Sequence, residues 1–180
     1  MTILGKSYEK IREDGDLQLI YDPIDRLLSV KGRTGDVSDF DSSYLSFPVR
    51  VVAEITSRCN MRCSYCSQGD NPRGKSLDLE DVLRIIDEVD KFHAFELSIR
   101  GAEATLHPNF DEIWRYAVSK EFVSTNLITN GVLLDEQLAL SMLQNPTSKI
   151  VVSLDGPEET NSRFRGSYQY GKVMGWLIPV

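Results

Sequence analysis

From residue 48 onward, short apolar runs alternate along the chain with segments in which apolar residues recur every three or four positions. The runs predict four strands, at residues 49–55, 95–99, 122–128 and 150–154. Their length and their content of Val, Ile and Leu are typical of strands that are buried in a parallel sheet.

The segments between these strands predict helices. Asp78 precedes apolar residues at helical spacing, so we expect a helix capped by this aspartate. Asn109 starts a second predicted helix, with Trp114 on its apolar face, and residues 134–143 predict a third. Residues 168–178 have the spacing expected at the start of a fourth helix. The alternation of strands and helices predicts an α/β fold, a parallel sheet of about four βα units with right-handed crossovers.

The N-terminal segment has a different pattern. Residues 17–21 and 26–30 predict two short strands joined by a turn at 22–25, and the polar stretch 32–43 resembles a linker. This small β appendage has two interpretations. It is either a cap over the bottom or the edge of the main sheet, or a docking element for a peptide substrate.

Composition narrows the classes of protein. The 180 residues are 41% hydrophobic and 26% charged, as in ordinary globular proteins, and we expect an extension at 1–46 followed by a core at 47–180. The net charge of −7 argues against nonspecific binding to nucleic acid or to anionic membranes. The chain shows neither a membrane-spanning run nor the apolar core of a signal peptide, so we expect a cytoplasmic protein.

The three cysteines, Cys59, Cys63 and Cys66, lie within eight residues. Their odd number and close spacing are unlike a disulfide framework and indicate a site that holds three thiolates and leaves one position open. A [4Fe–4S] cluster with one iron available to a substrate or cofactor is the leading interpretation. The alternative is a structural zinc site with His93 or His107 as the fourth ligand.

Polar, glycine-containing segments follow each predicted strand. The cysteine loop follows the first strand, residues 101–103 follow the second, residues 129–131 end the third and residues 153–156 end the fourth. Because the carboxyl ends of parallel strands meet at one edge of the sheet, these segments are expected to surround one pocket.

These residues resemble the radical S-adenosylmethionine (SAM) superfamily. Cys59–Cys66 is similar to its cluster motif, including the aromatic residue before the last cysteine, and Gly101–Pro108 is similar to its Gly-Gly-Glu-Pro segment. Residues 129–131 and 153–156 match later segments in the same order. The pair Arg165–Gly166 resembles one found in sulfatase-maturing and peptide-modifying (SPASM-type) members, although this chain has no cysteines for auxiliary clusters.

The resemblance, which covers residues 48–175, implies a partial (βα) TIM-like barrel and an oxidoreductase chemistry. A [4Fe–4S] cluster would reductively cleave SAM, and the resulting 5′-deoxyadenosyl radical would abstract hydrogen from a substrate, with a peptide or protein as the preferred class. A reductant such as flavodoxin or ferredoxin would supply the electron.

The same resemblance implies roles for individual residues. Cys59, Cys63 and Cys66 would bind three irons, Glu103 would accept hydrogen bonds from the amino group of SAM, and Arg165 would pair with its carboxylate. The residues implied to bind the cofactor are Tyr65, Gly101, Ala102, Glu103, Asn130, Ser153, Asp155 and Arg165. Among them, Ser153 and Asp155 would contact the ribose or the methionyl part, and Tyr65 would lie near the adenine.

The chain departs from the family in two respects. Ala102 and Ala104 stand where Gly and Pro are usual, and Ala102 would be strained if its position required a positive φ. The family barrel has six βα units and this chain supplies four strands. We therefore expect a truncated core, which is a fragment, a truncated gene product or a split protein completed by a second chain. The alternative is a catalytically inactive iron–sulfur module or regulatory partner.

Overall fold

The structure is a computed structural model, and it describes residues 10–15, 17–22, 27–32, 45–67 and 73–177. The predicted linker after Gly32, most of the turn after Asp22 and the last residue of the predicted fourth helix, Ile178, lie outside the described residues. Among the described residues, no helix combines the length and the apolar character needed to cross a bilayer.

Parallel strands and helices alternate in the larger part of the described chain. In chain order they are β4 (Arg50–Glu54), α1 (Leu79–Lys91), β5 (Glu96–Arg100), α2 (Phe110–Val118), β6 (Ser124–Thr129), α3 (Glu136–Met142), β7 (Ser148–Val152), α4 (Glu158–Arg165) and α5 (Ser167–Leu177). Within the described residues the strands pair in the order β4-β5-β6-β7, and every pair is parallel. The α/β architecture predicted from the hydrophobic pattern is therefore confirmed.

The register of the sheet separates its two faces. Ala53, Ile99, Leu127 and Ile150 form one row across the four strands and pack in the main hydrophobic core with residues of α1 and α2. Successive side chains of a strand point to opposite faces. The neighbouring row therefore faces away from that core, and its residues Ser98, Asn126 and Lys149 line a cavity of about 540 Å³.

The helices differ from the predictions in details. The helix expected after Asp78 begins at Leu79, but the Asp78 side chain makes no capping hydrogen bond. The helix expected at 134–143 is shorter, because Asp135 is its N-cap and accepts a hydrogen bond from the backbone N–H of Leu138. Helix α4 was not predicted, and α5 begins one residue before the helix expected at 168–178.

A second, antiparallel sheet precedes the parallel one. Its strands are β1 (Lys10–Asp14), β2 (Leu17–Asp22) and β3 (Leu27–Gly32), paired in the order β1-β2-β3. The β2–β3 hairpin agrees with the prediction, whereas β1 is an additional strand. The hydrophobic pattern of the sequence does not predict β1, because the buried residue of this strand is Arg12 and its apolar Ile11 is half exposed.

This N-terminal sheet packs against the amino ends of the parallel strands. The Tyr21 ring lies 5.6 Å from the ring of Phe95, and both residues belong to a small hydrophobic cluster separate from the main core. The Arg12 guanidinium donates hydrogen bonds to the backbone oxygens of Phe47 and Pro48. Because the cysteine loop follows the carboxyl end of β4, the N-terminal sheet contacts the opposite end of the parallel sheet.

Candidate functional site at the carboxyl ends of the strands

The loop that carries the cysteines leaves the end of β4 and returns along it before α1 begins. Its two ends are joined by backbone hydrogen bonds from Ser57 N to Lys75 O (2.8 Å) and from Leu77 N to Ile55 O (3.0 Å). The local geometry therefore fixes where the loop starts and stops.

The three thiols of this loop are free, and Cys66 is the most exposed of them. The backbone N–H of Met61 lies 3.4 Å from Cys59 Sγ and donates to it. Burial raises the pKa of the Cys59 and Cys63 thiols, and the positive charge of Arg165 partly opposes this effect at Cys63. Three accessible soft sulfur donors with an N–H···S contact form a donor set that fits an iron–sulfur cluster, whose binding would displace the thiol protons.

Both histidines of the chain are held away from a role as a fourth zinc ligand. His107 is buried, and its Nε2 lies 2.8 Å from the Leu77 carbonyl while its Nδ1 accepts from the backbone N–H of Asn109 at 3.1 Å. His93 lies between α1 and β5, at the amino end of the sheet, and adopts a left-handed φ of 54°. The zinc alternative therefore lacks the ligand on which it depended.

The Gly101–Glu103 segment lies directly against the start of the cysteine loop. A Cβ on Gly101 would lie 2.3 Å from the backbone oxygen of Thr56, so only glycine permits this approach. The Ala102 N–H donates to the same oxygen at 2.9 Å, and the Glu103 N–H donates to Arg58 O at 2.9 Å. Of the described non-glycine residues only His93 has a positive φ, so the strain considered for Ala102 is absent.

Glu103 is a buried carboxylate, 1% exposed, that joins two strand ends. Its Oε1 accepts from the hydroxyls of Thr105 (2.6 Å) and Thr129 (2.7 Å), and more distantly from the Thr105 N–H (3.3 Å). Its Oε2 accepts from the Asn130 N–H at 2.7 Å. A carboxylate oxygen has two acceptor positions, so Oε2 retains capacity for one further donor.

Asn130 extends this network to the cysteine loop. Its Nδ2 donates to Asn60 Oδ1 at 2.8 Å, and its Oδ1 accepts from the Val132 N–H at 2.9 Å. Gly131, which follows, has a φ of 76°, and a Cβ there would lie 2.8 Å from the Val152 side chain. The Thr-Asn-Gly segment thus combines a turn that requires glycine with a side chain that reaches the loop.

Asp155 links the fourth strand end to the aromatic residue of the cysteine loop. Arg165 donates to it through Nε (2.8 Å) and Nη2 (3.1 Å), and the Tyr65 hydroxyl donates to its Oδ2 at 2.7 Å. The hydrogen bond from Arg165 lowers the pKa of the Asp155 carboxyl. Burial and the hydrogen bond to Asp155 raise the pKa of Tyr65 to about 12. The Tyr65 ring also meets Phe164 edge-on, with ring centroids 6.1 Å apart.

These segments surround one cleft of about 150 Å³, which we call the cysteine cleft. Its lining residues are Cys59, Met61, Cys63, Tyr65, Cys66, Arg100, Gly101, Ala102, Glu103, Ile128, Thr129, Asn130, Ser153 and Arg165. The lining includes the three cysteines and seven of the eight residues implied to bind the cofactor. Asp155 is not part of it and lies behind Tyr65 and Arg165, which it joins.

Several residues that support the cleft were not predicted from the sequence. Thr129 and Thr105 hold Glu103, and the position of Thr129 in a strand-end segment could have drawn attention to it. Asn161 and Gln169 are completely buried and contact the ends of β6 and β7. No sequence signal marks these two, because they lie in a polar helix and at the start of the next one.

The fold and the cleft together define an α/β protein with a three-thiol centre at the carboxyl ends of its parallel strands. The family model of the radical SAM superfamily matches residues 53–176. The chain therefore belongs to the radical SAM superfamily, a superfamily of enzymes, as its motifs predicted.

Named relatives agree with this assignment. The chain is 33% identical over 118 residues to the Fe-coproporphyrin III synthase of Methanosarcina barkeri, covering 64% of this chain and 29% of that protein. It is 32% identical over 120 residues to the PqqA peptide cyclase of Granulibacter bethesdensis, covering 64% of this chain and 31% of that protein. The chain thus spans about a third of the length of these curated relatives.

A solved structure supports the fold. The crystal structure of Streptococcus suis SuiB bound to S-adenosylmethionine superposes with a TM-score of 0.73 at 14% identity, covering 94% of this chain and 52% of that chain. The similarity extends beyond the parallel sheet, since it includes nearly all of the chain. The predicted partial barrel is therefore confirmed as the fold.

Proposed function

We propose that this chain is the cluster- and SAM-binding part of a radical SAM enzyme. The observation that carries the proposal is the cysteine cleft, in which three free thiols face the buried Glu103 and the cationic Arg165. When bound, the [4Fe–4S] cluster and SAM would supply reductive cleavage of the sulfonium bond and a radical that abstracts hydrogen from a substrate. The protein residues would bind, orient and shield these groups.

Cys59, Cys63 and Cys66 would bind three irons of the cluster. The Met61 N–H donates to the Cys59 sulfur, and Arg165 places a positive charge near Cys63. Hydrogen bonds to sulfur and nearby positive charge both stabilise electron density on the thiolates and tune the reduction potential.

Glu103 would orient the amino group of SAM through the remaining acceptor capacity of Oε2. Three groups of the protein, the Thr105 and Thr129 hydroxyls and the Asn130 N–H, already fix this carboxylate at 2.6 to 2.7 Å. A carboxylate held by several donors does not need to reorganise when a cationic group arrives. Gly101 and Ala102 would present backbone beside it.

Arg165 would hold the carboxylate of SAM while still paired with Asp155. Its bonds to Asp155 use Nε and one N–H of Nη2, and a guanidinium has five N–H groups, so three are available for a second acceptor. Ser153 and Tyr65 also line the cleft. Ser153 would contact the ribose or the methionyl part of SAM, and Tyr65 would lie near the adenine. Asp155 would act through Arg165 and Tyr65, because it lies behind the lining.

The preferred substrate is a peptide or protein. This proposal rests on the similarity of the stretch from Ser153 to Gly166 to peptide-modifying members and on the relative that is named a peptide cyclase. The relative named a synthase of Fe-coproporphyrin III favours a tetrapyrrole as the second candidate. Hydrogen-atom abstraction from either class would use the same cleft.

We also propose that residues 1–46 form an extension and that residues 47–180 form the core. The contacts of Tyr21 and Arg12 with the amino ends of the parallel strands support a capping role for the extension, at the end opposite to the cysteine cleft. A reductant of the flavodoxin or ferredoxin type and a polypeptide that completes the barrel are the proposed partners.

Anaerobic reconstitution with iron and sulfide, followed by chemical reduction with SAM, tests the proposal. We expect four irons per chain and formation of 5′-deoxyadenosine. A chain that holds the cluster and binds SAM but forms no 5′-deoxyadenosine would favour the inactive module. A chain that assembles no cluster would overturn the proposed function.

A further inference from the structure

Two uncharged polar side chains, Asn161 and Gln169, are completely buried where α4 and α5 meet the sheet. Burying an amide without hydrogen-bond partners is costly in an apolar environment, so buried amides are almost always hydrogen-bonded. Here Asn161 Nδ2 donates to Gln169 Oε1 at 2.6 Å, which couples the two helices through one amide pair.

The Gln169 amide then reaches the two strand ends that line the cysteine cleft. Its Nε2 donates to the backbone oxygen of Asn130 at 2.7 Å and to that of Ser153 at 3.0 Å. Each N–H of one amide group is thus used by a different strand end. The two segments are already linked at the end of the β6–β7 pairing by the hydrogen bond from the Ser153 N–H to Thr129 O at 3.0 Å, and the Gln169 amide adds a second link between them through the Asn130 and Ser153 oxygens.

The Asn161 end of the pair reaches the third element of the site. Its Oδ1 accepts from the Asp155 N–H at 3.1 Å, and Asp155 holds Arg165 and Tyr65. One continuous hydrogen-bonded path therefore runs from Asn130, which contacts the cysteine loop, to the Arg165–Tyr65 side of the cleft. An apolar residue at position 169 could fill the same space, but it would leave both carbonyls without this donor.

We propose that Gln169 is a positioning residue that holds the Asn130 and Ser153 segments together beyond the last paired residues of β6 and β7 and thereby sets the affinity for SAM. This inference rests on the proposed function, in which both segments bind that cofactor. Gln169 acts on the cleft through two backbone oxygens and is not part of the cleft lining.

The test compares Gln169→Met and Gln169→Glu with the wild-type chain, all carrying the reconstituted cluster. The methionine has the same length and no donor, so we expect SAM to bind about tenfold more weakly while the iron content stays unchanged. In Gln169→Glu the ionised carboxylate cannot donate to either oxygen. We expect its affinity to improve as the pH is lowered, relative to wild type, because the protonated acid regains one donor.

Val89→Ala is the matched control for stability. Val89 is 4% exposed in the main core, at the amino end of the sheet, so its truncation should lower the melting temperature and leave SAM affinity unchanged. If Gln169→Met and Val89→Ala lower the melting temperature equally and also weaken SAM binding equally, the inference is overturned. An unchanged affinity in Gln169→Met would also overturn it.

Hydrogen exchange without SAM separates this inference from the proposed function. In Gln169→Met we expect faster exchange of the backbone N–H groups of Asn130, Gly131 and Ser153, which are hydrogen-bonded in the wild-type chain. If these N–H groups exchange faster in Gln169→Met but the wild-type chain does not bind SAM, the positioning of the two segments is supported and the SAM site is refuted. Unchanged exchange would refute the positioning itself.

Discussion

The two ends of the parallel sheet both bury a glutamate, but they use it differently. At the amino end, Glu96 accepts from the Tyr21 hydroxyl at 3.0 Å and from Arg50 Nε at 2.5 Å, which connects the N-terminal sheet to the barrel strands. At the carboxyl end, Glu103 accepts from two threonines and from Asn130, and it borders the cysteine cleft.

Burial of a charge therefore does not by itself mark a functional site. Glu96 also lines a cavity, of about 540 Å³, but this cavity contains none of the three thiols, and the partners of Glu96 come from both sheets, as expected for a stabilising role at that end of a barrel. The carboxyl-end charges converge on a cleft that also contains three thiols. Substitutions that are matched between the two ends can separate these roles.

The largest effect is expected from Cys63→Ala. Removing one of three sulfur donors should abolish assembly of the cluster, because the loop has no replacement thiol. Iron and sulfide content measured after reconstitution checks this. Tyr21→Phe, at the amino end, should load the full cluster, and a fully loaded Cys63→Ala variant would refute the ligand assignment.

The two buried glutamates, Glu103 and Glu96, are expected to differ in their effect on SAM binding. Glu103→Gln places an amide among donors, so we expect a loss of about 2 kcal/mol in the free energy of unfolding and SAM binding weakened by at least about tenfold. Glu96→Gln should lower stability by a similar amount of about 1 to 2 kcal/mol without changing SAM affinity. Denaturant titration and SAM titration measure the two quantities. Equal effects on SAM affinity would erase the distinction between the two ends.

Arg12→Met tests how much the contact of the N-terminal sheet with the amino ends of the parallel strands stabilises the fold. The variant keeps an apolar stem but leaves the carbonyls of Phe47 and Pro48 without their guanidinium donor, so we expect stability to fall by about 2 kcal/mol. Cluster loading should match that of the wild-type chain. A variant as stable as wild type would show that the N-terminal sheet contributes little to holding the barrel.

The smallest effect is expected from Asp155→Asn, which should lower the free energy of unfolding at neutral pH and not in acid. The hydrogen bond from Arg165 lowers the pKa of Asp155 in the folded chain, below the unfolded value of about 3.9. The ionised form therefore stabilises the fold above that unfolded value, by about 1 kcal/mol, and the benefit disappears as the pH falls through the folded-state pKa. Unfolding of the cluster-free chains at neutral and at acidic pH measures this. A wild-type advantage that did not shrink in acid would contradict the assignment.

The sequence predicts the parts of the molecule where local pattern and final environment agree. The row Ala53, Ile99, Leu127 and Ile150 is apolar in sequence and packs in the main core, where Ile150 is partly buried, so the strands could be placed from the pattern. The three cysteines and the Gly101–Glu103 segment could be assigned because their chemistry depends on spacing within a few residues.

The parts that could not be predicted are those where a polar side chain is buried through distant partners. In β1 the buried residue is Arg12, whose acceptors lie 35 and 36 residues away, so its alternation is inverted relative to the usual pattern. Asn161 and Gln169 look like surface residues until the ends of β6 and β7 supply their partners. Tertiary contacts of this kind leave no periodic signal.

The most direct test of a cluster and SAM site at the carboxyl ends is electron paramagnetic resonance of the reconstituted, reduced chain with and without SAM. We expect the signal of a reduced [4Fe–4S] cluster whose g values change when SAM is added, because one iron would have no protein ligand. A signal unaffected by saturating SAM, or a chain that binds zinc without sulfide, would contradict it.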